Sequence, residues 1–327
     1  MNNIFLNILF LVMGFVLLIK GADYFVDGAA SAAKLMKIST LVIGLTVVAF
    51  GTSAPELAVS LAAAINGSNS IALGNVVGSN FLNFFLILGI SAIITPLAAK
   101  KDVLTRDYTI SLIAAALVLA LGFVGMRLGR IDGVILTACV IAYVVFLIIS
   151  SKKSGDGGGE DFKAMSPIKC VIYILIGLAA VVLGGQLVVT GAQVIAKALG
   201  MSEALIALTV VALGTSLPEL VTSVMAAKKG ETDLALGNVL GSNIFNLLLI
   251  LGVSAAVHPM IPLGNAVIEY KETLFDLGIF LIASVIFFVP IWKKKQFTRP
   301  IGIALVVFYA AYFAFIIMRN YGVVSIF

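Results

Sequence analysis

Two short polar motifs interrupt long apolar stretches of this sequence of 327 residues. The first reads GTSAPE and ends at Glu56, and the second reads GTSLPE and ends at Glu219. A proline inside a helix cannot donate an N–H and clashes with the carbonyl four residues earlier, so each motif should free backbone carbonyls. Carbonyl, hydroxyl and carboxylate oxygens are the ligands that hard cations such as Ca²⁺ prefer. The motifs therefore predict a cation site, with freed carbonyls expected at Ala49, Gly51, Ala212 and Gly214.

The two glutamates are the strongest candidates for direct contact with a cation. Glu56 and Glu219 each lie within an otherwise apolar stretch, and neither motif contains a Lys or Arg. An ionisable side chain at membrane depth costs at least about 2.5–3.5 kcal/mol on insertion scales unless it has a partner. A purely structural role is therefore the weaker interpretation, and a bound positive ion is the stronger one.

A second pair of motifs supplies neutral oxygens. GNVVGSN begins at Gly74, and GNVLGSN begins at Gly237. Polar side chains recur there at intervals of four residues, which places them on one face of each helix. We favour cation binding for the four that should lie nearest the membrane midplane, namely Ser79, Asn83, Ser242 and Asn246. For the others, hydrogen bonding between helices is an equally good interpretation, and these are Asn75, Asn80, Asn238 and Asn243.

The composition identifies the environment in which these motifs act. Hydrophobic residues make up 61% of the chain and charged residues 11%, whereas a soluble domain typically carries about 25% charged residues. We therefore predict a polytopic membrane protein and exclude soluble enzymes. A net charge of +5 from so few charges favours basic cytoplasmic loops over nucleic-acid binding. Cys139 and Cys170 lie in apolar runs, so neither a disulfide nor a thiolate metal site is expected.

Ten apolar segments are long enough to cross a bilayer, for which roughly 20 residues are needed. The first lacks a basic leader region, so we interpret it as a retained span and not as a signal peptide. A Gly-rich, charged linker separates the fifth segment from the sixth. We divide the chain into a first five-helix repeat at 1–150, a cytoplasmic linker at 151–167 and a second five-helix repeat at 168–327. The ten segments are 4–31, 40–64, 71–95, 107–126, 131–150, 168–196, 203–227, 234–257, 272–291 and 300–318.

The distribution of basic residues predicts the orientation of the chain. Loops that follow odd-numbered segments, counted together with Lys169 at the start of the sixth segment, contain 15 Lys and Arg residues, and the opposite side contains 5. Because positively charged loops stay in the cytoplasm, the linker should be cytoplasmic and both termini extracytoplasmic. Asp23 and Asp27 lie near the cytoplasmic end of the first segment beside Lys20, so a local ion pair is expected there.

The two halves of the chain are copies of one another. A shift of 163 residues aligns 41–92 with 204–255 at 31 identities in 52 positions, and these include Thr, Ser, Pro, Glu and Asn. Because each copy contains five spans, the second copy enters the membrane from the opposite side. Such inverted repeats are typical of secondary transporters, whose substrate site lies near the midplane where the repeats meet. The predicted fold is an all-α membrane protein of ten transmembrane helices in two inverted five-helix repeats.

At these motifs the chain resembles the cation/calcium exchanger superfamily, and specifically the prokaryotic sodium/calcium exchangers. The paired GTSxPE and GNxxGSN motifs are similar to that family's two α-repeats in wording and order, and the similarity covers the whole chain. The resemblance implies an antiporter of the prokaryotic inner membrane that exchanges Na⁺ for Ca²⁺ without a cofactor or an obligate protein partner. It also implies that the long first and sixth spans slide across the other eight as the gate.

The resemblance also assigns roles to individual residues. Glu56 and Glu219 would be the central Ca²⁺ ligands, assisted by the carbonyls of Thr52 and Thr215. Some members carry an acidic residue where this chain has Asn83 or Asn246. The predicted site therefore contains only two carboxylates, which neutralise one Ca²⁺ and leave the number of exchanged Na⁺ open. The flanking Na⁺ sites would be formed by Ala49, Ser53, Ser79, Ala212, Ser216 and Ser242.

Other functions fit parts of the same pattern. An antiporter that exchanges protons for Ca²⁺ or another divalent cation is the nearest alternative, because buried carboxylates can carry protons. A Ca²⁺-permeable channel is less favoured, because inverted repeats with broken helices indicate alternating access. An enzyme is not expected, since the spans lack a plausible nucleophile–base pair and the single histidine, His258, lies in a loop.

Overall fold

A computed structural model describes residues 4–154, 165–199, 212–262, 266–321 and 323–324. Most of the predicted linker and the first part of the predicted seventh span lie outside these ranges. The described part is almost entirely helical, as the long apolar runs predict.

The helices of the first repeat follow the predicted spans. Helix α1 is Ile4–Met36, α2 is Thr40–Thr52, α3 is Ala54–Ile65 and α6 is Arg130–Ser154. Helix α2 contains a π-helical stretch at Gly44–Val48. Helix α4 consists of Asn69–Phe81, the π-helical stretch Leu82–Ile87 and Leu88–Ile94. Helix α5 consists of the π-helical stretch Val103–Tyr108, Thr109–Phe123 and the 3₁₀ turn Val124–Met126.

The second repeat has corresponding helices. They are α7 at Pro167–Ala198, α8 at Ala212–Thr215, α9 at Leu217–Lys228, α11 at Ala266–Lys294 and α12 at Arg299–Asn320. Helix α10 consists of Thr232–Ile244, the π-helical stretch Phe245–Ile250 and Leu251–Val257. Two short antiparallel strands, β1 (Leu97–Ala98) and β2 (Gln296–Phe297), join the loop after α4 to the loop after α11.

The lengths and surfaces of these helices fit a bilayer. Within the described ranges, eight helices are long and apolar enough to cross a membrane, and the bent pair α2–α3 adds a ninth. Helices α8 and α9 occupy the described part of the predicted seventh span. Large apolar side chains such as Phe5, Ile131 and Val307 are exposed, as expected for surfaces that face lipid.

The chain packs as two compact units. The first unit comprises Met1–Pro55 and Leu147–Asn238, and the second comprises Glu56–Phe146 and Val239–Phe327. Each unit takes helices from both sequence repeats. Contacts inside a single unit therefore already bring the two repeats together.

A stripe of glycines joins α1 to α7 in the first unit. A Cβ atom added at Gly21 would lie 2.9 Å from the carbonyl oxygen of Gly177, and one added at Gly184 would lie 2.8 Å from that of Gly14. The two antiparallel backbones are therefore in contact, which small residues permit. The stripe recurs every seven residues in both helices and consists of Gly14, Gly21, Gly28, Gly177, Gly184 and Gly191.

The acidic pair near the end of α1 binds a more distant lysine than we expected. Lys229, the residue that follows α9, places its ammonium 2.6 Å from Asp23 and 2.5 Å from Asp27. The same ammonium donates to the backbone carbonyl of Asp23 at 2.9 Å. The predicted local pair with Lys20 is therefore wrong. The sequence could not identify this partner, because Lys229 is more than 200 residues away and approaches α1 only where the second repeat packs against that helix.

Two further glycine contacts organise the second unit. Gly89 of α4 packs against Gly302 of α12, where an added Cβ would lie 2.9 Å from the Gly302 carbonyl oxygen. The corresponding glycine of α10, Gly252, packs against Gly133 of α6. The third span of each repeat therefore packs against the last span of the other. Aromatic rings fill the space around α4, with Phe81 stacked on Tyr312 at 3.7 Å between ring centroids.

Two aspartates buried in the second unit are held by arginines. The Asp107 carboxylate accepts two hydrogen bonds from Arg106, at 2.8 and 3.0 Å, and one from Tyr143. The Asp276 carboxylate accepts two from Arg319, at 2.9 and 2.7 Å. Charge-assisted bidentate pairs of this kind neutralise a carboxylate in an apolar setting. These aspartates therefore have a structural explanation.

Candidate cation-binding site

Both GTSxPE motifs form a sharp helix break. Helix α2 ends at Thr52, Ser53 takes non-helical backbone angles of φ −82° and ψ 6°, and α3 starts at Ala54 with a bend of 49°. In the second repeat Ser216, at φ −92° and ψ 9°, separates α8 from α9 in the same way. The proline is the second residue of each new helix, where its missing N–H costs no hydrogen bond. The sequence had suggested a proline inside a helix, but each proline instead lies at the start of one.

The break places each glutamate in the first turn of the helix that follows. Glu56 and Glu219 are both 1% exposed. Negative charge is stabilised near a helix N-terminus by the peptide dipoles. The carbonyl of Ala49 was expected to be free, but it accepts the Ser53 N–H at 3.0 Å and the Thr52 hydroxyl at 3.4 Å. A carbonyl oxygen has two lone pairs, so a role for Ala49 as a ligand remains a prediction.

In the first unit, hydroxyls of the first repeat meet a carboxylate of the second. The Ser53 hydroxyl donates to Oε1 of Glu219 at 2.9 Å. The Thr52 hydroxyl donates to Oδ1 of Asn238 at 3.2 Å. Ser216 is buried, Thr215 is partly buried, and the backbone of Ala212 begins α8. The first unit thus gathers seven of the predicted residues, which are Ala49, Thr52, Ser53, Ala212, Thr215, Ser216 and Glu219.

Glu219 is a buried carboxyl group without a basic partner in the described part of the chain. Its second oxygen, Oε2, has no hydrogen-bond partner among the residues that the structure describes. No Lys or Arg of those ranges forms an ion pair with it, in contrast to the arginine-held Asp107 and Asp276. An unpaired buried carboxylate is strongly unfavourable. A positive ligand is the simplest means of stabilising it.

Two serines missed by the sequence analysis support the glutamate turns. The Asn75 amide donates to the Ser60 hydroxyl at 2.9 Å and to the Glu56 carbonyl at 3.4 Å. In the second repeat, the Asn238 amide donates to the Ser223 hydroxyl at 2.8 Å and to the Glu219 carbonyl at 3.4 Å. These contacts favour a structural role for both asparagines. The sequence could have identified these serines, because each repeat has a serine at the same position, four residues after its glutamate.

In the second unit the predicted neutral ligands lie near the crossing of α4 and α10. Asn83 and Asn246 are each the second residue of a π-helical stretch, a local distortion that is frequent at functional sites. The Asn83 amide atoms and the Ser242 hydroxyl have no partner within the described ranges. Each buried polar group left without a partner costs about 1–3 kcal/mol. The predicted residues in this unit, all buried, are Glu56, Ser79, Asn83, Ser242 and Asn246.

Charged metal ligands are not clustered in the described part of the chain. Among the described residues, no three His, Cys, Asp or Glu side chains form a group that could hold a metal. A cation at these motifs would therefore be bound by at most two carboxylates, together with hydroxyl, amide and carbonyl oxygens. Such oxygen-rich, weakly charged sites suit Na⁺ and Ca²⁺ better than transition metals.

Comparison with known families agrees with this arrangement. The family described as "Sodium/calcium exchanger protein" matches residues 6–151 and 169–318, one block for each repeat. The chain belongs to this exchanger family. It is therefore an integral membrane transporter and not an enzyme.

Individual relatives of this exchanger match between 77% and 94% of its length. The sodium/calcium exchanger MaX1 of Methanosarcina acetivorans is 34% identical over 94% of this chain and 97% of its own. The inner membrane protein YrbG of Escherichia coli is 32% identical over 90% and 92%. The putative antiporter CaxA of Alkalimonas amylolytica is 40% identical over 77% and 81%.

A solved structure of the sodium-calcium exchanger NCX_Mj superimposes with a TM-score of 0.82, at 31% identity, over 95% of this exchanger and 99% of that chain. The similarity extends to the arrangement of the helices. The predicted fold of ten transmembrane helices in two inverted repeats is confirmed.

Proposed function

We propose that this exchanger moves Ca²⁺ across the membrane in exchange for Na⁺. The observation that carries the proposal is the environment of Glu219, a buried carboxylate that is surrounded by hydroxyl and amide groups and has no basic partner in the described ranges. A carboxylate with neutral oxygens around it suits a cation that must be released again. Because Na⁺ and Ca²⁺ both accept such oxygens, one cluster can hold either ion in turn.

The proposed residue roles follow from charge. Glu56 and Glu219 supply the two negative charges that neutralise one Ca²⁺, with help from the carbonyls of Thr52 and Thr215. Na⁺ needs less charge and relies more on neutral ligands. The proposed Na⁺ ligands are the carbonyls and hydroxyls around the helix breaks and the polar face of α4 and α10, namely Ala49, Ser53, Ser79, Asn83, Ala212, Ser216, Ser242 and Asn246.

The abundance of neutral oxygens supports sodium coupling over proton coupling. A proton requires only a carboxylate and would leave the neutral side chains without a role. Here Ser53 hydrogen-bonds Glu219, and Asn83 and Ser242 are buried with polar atoms that lack partners among the described residues. These groups support Na⁺ as the counter-ion. A proton/divalent-cation antiporter is the second candidate, because a buried carboxyl group such as that of Glu219 can carry a proton.

The direct test is Ca²⁺ flux into proteoliposomes. Purified protein is reconstituted, and ⁴⁵Ca²⁺ uptake is measured under an outward Na⁺ gradient, under a pH gradient, and with neither gradient. We expect uptake only with the Na⁺ gradient. Uptake driven by the pH gradient alone would establish the proton antiporter. Uptake with no counter-ion gradient would indicate a channel and refute exchange.

A further inference from the structure

A chain of amide hydrogen bonds crosses the second unit between α4 and α10. Asn80 donates through Nδ2 to the backbone carbonyl of Asn243 at 3.5 Å. Its Oδ1 accepts a hydrogen bond from Nδ2 of Asn246 at 3.1 Å. All three residues are fully buried. The middle residue of these hydrogen bonds, Asn80, is not among the proposed cation ligands, whereas the last, Asn246, is.

The backbone carbonyl at the start of this chain fixes the polarity of every amide in it. A carbonyl can only accept, so the NH₂ group of Asn80 must face Asn243. The Oδ1 of Asn80 then faces Asn246, which must present its own NH₂ group in return. The Oδ1 of Asn246 is consequently directed elsewhere, and it has no hydrogen-bond partner among the described residues.

The orientation of this amide decides whether it can bind a cation. A side-chain amide offers a cation an attractive carbonyl oxygen at one end and a repulsive NH₂ group at the other. A buried amide that is free to rotate by 180° would present either end. A fixed partner for the NH₂ group removes the unfavourable orientation before the ion arrives, which is the preorganisation that tight binding requires.

We propose that Asn80 is a positioning residue that holds the Oδ1 of Asn246 toward the transported cation. The proposal rests on the proposed function, because it assumes that Asn246 is a ligand. Asn80 itself does not contact the ion. Asn80 acts through the orientation of the neighbouring Asn246 amide. An aspartate at position 246 would not need this help, because both branches of a carboxylate end in oxygen.

The other repeat shows that this arrangement is not a general property of the motif. The counterpart of Asn80 is Asn243, and the counterpart of Asn246 is Asn83. Neither amide atom of Asn243 or of Asn83 has a hydrogen-bond partner in the described part of the chain. Asn243 therefore orients nothing, although its residue type and its burial match those of Asn80. This difference supplies a matched control.

The test compares Asn80→Ala with Asn243→Ala in two backgrounds, wild type and Asn246→Asp. Cation binding is measured as the rise in melting temperature of purified protein titrated with Na⁺ or Ca²⁺, so the readout does not depend on transport. We expect Asn80→Ala to raise the half-saturating cation concentration on the order of tenfold, equivalent to about 1.4 kcal/mol. Asn243→Ala should change it less than twofold.

The Asn246→Asp background separates positioning from a general structural effect. A carboxylate has oxygen on both branches and needs no orientation, so Asn80→Ala should change binding less than twofold there. An equal loss in both backgrounds, or an equal loss for both alanine variants, would overturn the proposal. If the wild-type protein binds cations but does not exchange Na⁺ for Ca²⁺, only the proposed function fails. If no cation stabilises the wild-type protein, both fail.

Discussion

The carboxylate of Glu219 should be indispensable for Ca²⁺ transport. Glu219→Gln keeps the shape of the side chain and can still accept from the Ser53 hydroxyl, but it removes the negative charge. We expect ⁴⁵Ca²⁺ uptake into proteoliposomes to fall to background, while the melting temperature stays equal or rises because an unpaired buried charge is gone.

The matched control for the charge change is Glu269→Gln, which alters an exposed glutamate in the first turn of α11. This variant should keep the wild-type uptake rate. Uptake near the wild-type rate in Glu219→Gln would remove this residue from the centre of the mechanism.

The serines of the GSN motifs should affect Na⁺ more than Ca²⁺. Two carboxylates dominate the binding of a divalent ion, whereas a monovalent ion depends more on neutral oxygens. We therefore expect Ser79→Ala and Ser242→Ala to raise the half-saturating Na⁺ concentration on the order of fivefold, or about 1 kcal/mol. The half-saturating Ca²⁺ concentration should change less than twofold.

These values are obtained by titrating transport with Na⁺ at fixed Ca²⁺ and then with Ca²⁺ at fixed Na⁺, at constant pH. Ser254→Ala is the control. Ser254 is buried and lies in α10, the helix of Ser242, but it is outside the proposed ligand set. If both motif variants keep the wild-type Na⁺ dependence, proton coupling becomes the better explanation.

At the scale of single residues, the sequence predicted which residues belong to the candidate site better than it predicted which residues contact one another. The glutamates, serines and asparagines could be found because identical polar residues recur in two apolar segments. The amide chain from Asn243 through Asn80 to Asn246 could not, because it depends on how α4 crosses α10. Lys229 was missed for the same reason, as its partners are 202 and 206 residues away along the chain.

At the scale of helices, the contact between α1 and α7 should tolerate no added methyl group. An alanine at position 21 would bring its Cβ within 2.9 Å of the Gly177 carbonyl oxygen and the Val181 nitrogen, so the two backbones would have to separate. Overpacking of this kind typically costs about 1–3 kcal/mol. We expect Gly21→Ala to lower the melting temperature in detergent.

Gly278→Ala provides the comparison for this substitution. Gly278 lies inside α11, and its added Cβ would meet no described atom within 4 Å. Because alanine favours helix more than glycine does, this variant should keep or raise the melting temperature. Equal destabilisation by the two substitutions would show that the glycine stripe has no special role.

The helical elements themselves were largely predictable, and their distortions were not. Runs of apolar residues locate the spans because a bilayer permits few alternatives to a helix. The proline motifs located both breaks, although the proline starts the second helix and does not interrupt the first. The π-helical stretches at Leu82–Ile87 and Phe245–Ile250 have no signature in residue type. They depend on packing that a single sequence does not reveal.

At the scale of the whole molecule, the orientation in the membrane is open to a direct measurement. The excess of basic residues in the loops after odd-numbered segments predicts a cytoplasmic linker and extracytoplasmic termini. In a background without Cys139 and Cys170, a cysteine introduced by Asp156→Cys should react with a membrane-impermeant maleimide only after the cells are opened. Labelling of intact cells would reverse the predicted orientation.

The ion pair between Lys229 and the α1 aspartates makes the two membrane faces unequal. A shift of 163 residues relates Lys229 to Asn66, Asp23 to Gln186 and Asp27 to Thr190, so every charged member has a neutral counterpart. A carrier built from two equivalent halves would run equally well in both directions. If this ion pair forms in only one of the two access states, the two states should have unequal populations.

A transporter cannot change the equilibrium ratio of ion concentrations across the membrane. Unequal populations of the two access states would therefore affect only the rates of transport and the apparent affinities. The face that is closed in the state with the ion pair should then show the weaker apparent cation affinity, and the opposite face the stronger. The protein would then act as a partial rectifier of cation flow, with its preferred direction set by one lysine.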